Sequence, residues 1–190
     1  MVMCLTFCLA AVCQGDAGPK HWDMASPRYD LHTRWSFHAP AQRVWDVIAD
    51  PRMSWPDWWA QCAADEPVGG PVAEPADATS DGGGLVGRNA SLAFRAAPGY
   101  TLHLTIRPTR VQAPRFVEFD AEGDLRGLGR VALVEDGDRT AVHIQWIVRP
   151  ARRWMALLSP IAAPAFSAMH ARVMRQGERG LREFLAAPEG

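Results

Sequence analysis

One long amphipathic stretch closes a chain that is otherwise written in strands. From Ala165 to Leu185, the residues Phe166, Met169, Val173, Met174, Leu181 and Phe184 recur at spacings of three, four and seven. At about 100° per residue they fall on one stripe, and Arg172, Arg175, Arg179, Arg182 and Glu183 fall opposite. Glu178 and Arg182 make an i,i+4 pair on the outer surface. A helix with one apolar stripe must bury it, and the strands upstream are the only large partner. A single antiparallel sheet curled around a single long helix is the arrangement that satisfies both. The segment Arg152–Leu158 reads as a separate short helix, broken from the long one at Ser159-Pro160 and Ala163-Pro164.

The strands are legible by their period. In Tyr29–His38, Tyr29, Leu31, Thr33, Trp35 and Phe37 share one face, and Asp30, His32, Arg34, Ser36 and His38 share the other. From Pro40 the pattern changes to Val44, Trp45, Val47 and Ile48, a short amphipathic helix closed by Asp50-Pro51. Met53–Trp59 (MSWPDWW) reads as a second short helix or turn. Strand signals then run Val86–Phe94, Tyr100–Gln112, Arg115–Gly123, Leu125–Glu135 and Arg139–Arg149. They are separated by Pro98-Gly99, Ala113-Pro114, Gly123-Asp124 and Asp136-Gly137-Asp138, short connections that join antiparallel neighbours. Gly127 and Gly129 suggest a bulge or sharp bend in the penultimate strand. Glu66–Gly87, rich in Gly, Pro, Ala and Asp, carries nothing that can build a core and reads as a mobile surface loop.

Composition narrows the classes. Twenty Lys+Arg against twenty-one Asp+Glu leave a formal charge of −1, so no overall basic balance favours nucleic acid or an anionic membrane. The four cysteines are Cys4, Cys8, Cys13 and Cys62; they make no CxxC pair and no zinc spacing, which points to a reducing compartment and to no metal. Met1–Val12 is apolar, yet too short to span a bilayer, and the first basic residue is Lys20. Residues 1–27 therefore read as an extension, which is an over-extended frame whose natural start is Met24, an export signal or a disordered tail, and 28–187 as one domain. The expected location is cytoplasmic under the first reading and exported under the second.

Two residues of the long helix bear on what lies beneath it. Gly177 sits near the centre of the inward stripe, with Gly180 close by, where a large side chain is expected. Either the missing side chain leaves space, or a strand backbone packs closely there. His170 lies on the same stripe, either as a core histidine or as a polar group facing a cavity. No nucleophile elbow, phosphate loop, HExxH or dinucleotide fingerprint is present. Glu118, Asp120 and His143 fall on the polar faces of their strands and are expected outside.

The segment Tyr29–Trp59, with Ala39-Pro40, Val44-Trp45, Asp50-Pro51 and Trp58-Trp59, resembles the START-like (SRPBCC) superfamily of polyketide cyclase/dehydrase-like and lipid-transport proteins. So do the corner Gly123-Asp124-Leu125 with Gly127 and Gly129, and the ending Pro164, Phe166, His170, Val173-Met174, Gly177 and Gly180-Leu181. The resemblance covers roughly Tyr29 to Leu185. It implies an α+β helix-grip fold with a hydrophobic ligand held between helix and sheet. The loop Glu66–Gly87 is longer than the usual connection at the cavity mouth. The apolar faces nominate Trp35, Phe37, Leu102, Leu104, Phe119, Trp146, Met174 and Gly177 as ligand-binding residues. The expected partner is a lipid, polyketide or aromatic compound, with no cofactor, nucleic acid or stable membrane insertion. The expected activity is binding. The alternative is a polyketide cyclase or dehydratase in which His170, with Tyr100, moves a proton. Trp55, Trp58 and Trp59 read as an entrance gate or as the packing of that end, and a third functional reading makes them an exposed interaction patch.

Overall fold

The computed structural model describes residues 28–65, 84–86, 88–97 and 99–187, with the backbone alone over 153–163. The extension 1–27 and nearly all of the Glu66–Gly87 loop lie outside the described residues. The elements run β1 (Tyr29–Phe37), α1 (Ala41–Ile48), α2 (Trp55–Trp58), β2 (Cys62–Ala64), β3 (Ala90–Ala97), β4 (Tyr100–Gln112), β5 (Phe116–Gly123), β6 (Leu125–Asp136), β7 (Arg139–Pro150) and α3 (Arg153–Ala186). Among the described residues all seven strands form one antiparallel sheet in the order β1-β7-β6-β5-β4-β3-β2. Neighbours in sequence are neighbours in space from β2 to β7, and β1 returns to pair with β7, with Leu31 opposite Trp146 and Trp35 opposite Val142.

Alternation decides which face meets α3. In β1 the residues from Tyr29 onward alternate between inward and exposed, ending with Trp35 and Phe37 fully inside. In β5, Val117, Phe119 and Ala121 are buried, and Glu118 and Asp120 sit on the outer face. There Glu118 accepts from Arg130 Nε at 2.7 Å. His143 is also exposed on the outer face. α1 begins at Pro40 without a side-chain cap of its own. The Glu135 carboxylate accepts from the Ala41 N–H at 3.0 Å instead, tying the start of α1 to β6.

Four expectations are corrected. The final helix is continuous from Arg153 to Ala186, with Pro160 and Pro164 inside it. The two prolines are four residues apart, so their missing i→i−4 bonds fall on one face and the ladder continues around the other. The inward stripe ends along the row Val173-Gly177-Leu181-Leu185, an i±4 ridge, so Phe184 lies off it and is 45% exposed. Of the bulge or bend expected at Gly127 and Gly129, the bulge is absent: the register shifts fall in β3 between Arg95 and Ala97 and in β4 between Pro108 and Arg110, while β6 keeps its register with Gly127 at φ 155°. Gly129 is required for packing instead: a Cβ there would overlap the Phe119 ring. Third, β2 was not anticipated, and β3 starts at Ala90 rather than Val86. Fourth, Trp58 and Trp59 are buried, and the half-buried Trp55 donates its indole N–H to the Ile48 carbonyl at 2.8 Å, so they form no exposed aromatic patch.

Candidate functional site

A cavity of about 70 Å³ lies between the concave face of the sheet and α3. Its walls come from strands on both sides of the sheet. β1 and β7 supply Leu31, Trp146 and Val148, β3 and β4 supply Phe94, Ala96, Leu102 and Leu104, and β6 supplies Leu125. The helix roof is Phe166, Met169, His170, Val173 and Met174, and Trp59 closes one end. Leu31, Trp146, Phe166, Met169 and His170 are only half-buried, so solvent reaches this side.

Among the described lining residues His170 is the one titratable group. Its Nε2 lies 3.3 Å from the Thr33 hydroxyl, which shares the inward face of β1 with Leu31. Burial among apolar side chains disfavours the imidazolium and pushes the His170 pKa down to about 4. The ring is therefore neutral at pH 7, with one nitrogen to donate and one to accept. The helix period alone leaves His170 as either a core or a cavity group, and the fold places it in the cavity lining.

The other nominated residues divide. Leu102, Leu104, Trp146 and Met174 line the cavity with His170. Trp35, Phe37 and Phe119 are buried in the adjoining core. Phe119 packs edge-on against Trp146 at 5.1 Å, and Phe37 lies under the Arg182 guanidinium at 5.9 Å. Tyr100 is half-buried at the start of β4, apart from the described lining. Burial and the nearby Asp124 carboxylate push its phenol up, and Arg152 pulls it back in part.

Gly177 opens no space. A Cβ there would meet the Trp59 ring at 2.6 Å, and at Gly180 it would overlap the Trp58 carbonyl oxygen. The two glycines let the Trp58-Trp59 segment lie directly on α3. The close approach is made by this segment and not by a strand. Periodicity had no means of finding Trp59, because it follows a four-residue helix in extended backbone. The pairing of MSWPDWW with two glycines on the inward stripe was the available signal.

Asp124 organises the end of the cavity near Leu125. Its carboxylate accepts from the His103 backbone N–H at 3.0 Å and from Arg152 Nε, and its own carbonyl accepts from the Ala151 N–H at 2.9 Å. Burial raises the Asp124 pKa, but the His103 N–H and the Arg152 guanidinium outweigh it and hold the carboxyl below its usual range. This corner fixes where α3 starts relative to β4 and β6. Among the described residues no group of His, Cys, Asp and Glu is placed to hold a metal ion.

No protein-family model matches the chain, and no curated protein is similar to it in sequence. Solved structures are similar to it in shape. The Zhui aromatase/cyclase of Streptomyces sp. R1128 superposes with a TM-score of 0.57 at 17% identity, covering 84% of this chain and 94% of its own. A START superfamily protein of Mycobacterium smegmatis gives 0.56 at 12% identity, covering 82% and 96%. A protein of Rhodobacter sphaeroides gives 0.56 at 20% identity, covering 90% and 97%. The chain has the START-like helix-grip fold. No described helix is long and apolar enough to cross a membrane.

Proposed function

We propose that this chain binds a small, neutral, largely apolar molecule in the cavity beneath α3. One observation carries the reading: the described lining is hydrocarbon and aromatic apart from a neutral His170. Such a wall offers nothing to offset the desolvation of a charged ligand and offers His170, with Thr33, one hydrogen bond to a carbonyl or hydroxyl oxygen. The helix-grip fold and its aromatase/cyclase and START neighbours support the same reading. Binding is favoured over cyclase chemistry because an imidazole with a pKa near 4 is a weak base at pH 7, and Tyr100 stands apart from the described lining.

The test is extraction of the purified protein followed by mass spectrometry, with calorimetric titration of neutral aromatic and aliphatic alcohols. A co-purifying apolar molecule, or micromolar binding abolished by Val173→Trp, supports the proposal. An empty protein that takes none of these probes overturns it. Turnover of a poly-β-ketone substrate that is lost in His170→Gln would return the cyclase reading.

A further inference from the structure

The cavity is smaller than the ligands its walls suit. At about 70 Å³ it is roughly half of the ~150 Å³ void that holds one benzene ring. A ligand of the proposed class is fully enclosed only if part of the wall moves. Most of the wall consists of strand residues fixed by the sheet ladder or of the α3 ridge. Trp59 differs, since it sits beyond the C-terminus of α2 in neither helix nor strand, and it is in contact with the void.

The seat of the Trp59 indole is itself a built aromatic bay. Trp58 stacks on it at 5.5 Å and 22°, Trp35 meets it edge-on at 5.8 Å, and Phe94 meets it edge-on at 5.3 Å. Gly177 leaves the helix side flat. The indole N–H groups of Trp35, Trp58 and Trp59 are all buried with no hydrogen-bond partner among the described residues. Buried donors without acceptors are uncommon, and three on rings packed against one another carry a desolvation cost that no hydrogen bond among the described residues offsets; the Gln61 side-chain oxygen is buried and unpartnered as well.

We infer that the Trp59 indole is a built-in occupant of the ligand site, displaced when a flat, fused-ring aromatic molecule bearing an acceptor oxygen takes its place. The exchange is ring for ring. Stacking on Trp58 and the edges of Trp35 and Phe94 are regained by the ligand, and its oxygen offers an acceptor to the Trp35 or Trp58 indole N–H. Displacement also joins the bay to the existing void. This inference rests on the binding function proposed above and adds the shape of the ligand and the residue that limits entry.

The test uses the full chain and two probes with the same carbon skeleton and one hydroxyl each, flat 2-naphthol and puckered decahydro-2-naphthol. In the wild type, saturating 2-naphthol is expected to move the Trp59 indole N–H resonance, which is assigned by its loss in Trp59→Phe. Trp59→Ala and Trp59→Phe are expected to bind 2-naphthol at least tenfold more tightly than the wild type, with a smaller gain for the puckered alcohol. Trp59→Phe keeps an apolar ring in the bay and decides the matter if Trp59→Ala does not fold. Wild-type binding with an unmoved Trp59 signal, or with no gain in either variant, overturns the inference and leaves the binding function standing. Equal gains for the two alcohols overturn the planar class. No binding by any form overturns both.

Discussion

His170 gives the most direct physical test of the cavity. The unfolded chain protonates this imidazole near its ordinary value of 6.5, and the folded chain only near about 4, because burial disfavours the charged ring. Between those values the unfolded state binds more protons, so this group's contribution is intact above about pH 6.5 and declines as pH falls toward 4. At pH 4.5 the two titrations together remove about 2.5 kcal/mol, reduced to the extent that solvent reaches the half-buried ring. The described cavity lining presents no carboxylate to rescue the imidazolium, and Thr33 offers only a hydroxyl. His170→Gln keeps a hydrogen-bonding group and removes the titration. The assay is urea unfolding of both proteins at pH 7.5 and pH 4.5. Carboxylates elsewhere titrate alike in both and cancel in the difference. With a urea m-value of about 2 kcal/mol/M, the wild-type midpoint is expected to fall by roughly 1 M more than that of the variant. Equal losses in the two proteins would refute the argument and with it the apolar, uncharged character of the cavity.

Other substitutions probe the frame around that cavity. Gly180→Ala places a Cβ against the Trp58 carbonyl oxygen, which cannot swing aside, so overpacking of about 1–3 kcal/mol exceeds the ~1 kcal/mol gained in helix propensity. Gly177→Ala meets a movable indole and is expected to cost less, and calorimetric melting showing the opposite order would contradict the packing described. Asp124→Asn leaves the Arg152 guanidinium and the His103 N–H without their carboxylate and is expected to cost stability and lower the denaturant midpoint at pH 7, by less than a pair buried on both sides would because Arg152 reaches solvent. Because the folded Asp124 pKa is depressed, that cost is present above pH 3.8 and fades as pH falls below it. Burial pushes the Cys62 thiol up to about 12, so in a variant carrying Ser at 4, 8 and 13 it should react with a disulfide reagent at pH 8 only as fast as the protein unfolds. Prompt labelling would show that β2 is open to solvent.

Much of this architecture is readable because antiparallel strands and amphipathic helices impose periods on their own side chains. The inward face of Tyr29–Phe37, the pairing order of the last four strands and the place of His170 on the α3 stripe all follow from such local repetition. Pro160 and Pro164 misled because their effect depends on whether two missing bonds share a face, which a residue-by-residue rule overlooks. Gly177 misled for a deeper reason. Periodicity tells which side chains point inward, but a cavity is the difference between the space enclosed and the volume that fills it. The group that closes that difference here is an indole from a segment with no period, more than a hundred residues upstream of the glycine that admits it. The same fact explains why a position that looks empty in the sequence is filled in the fold. A glycine on an inward helix stripe marks a place where some other group lies flat against the backbone, and whether that group can leave decides whether the fold holds a core or a ligand.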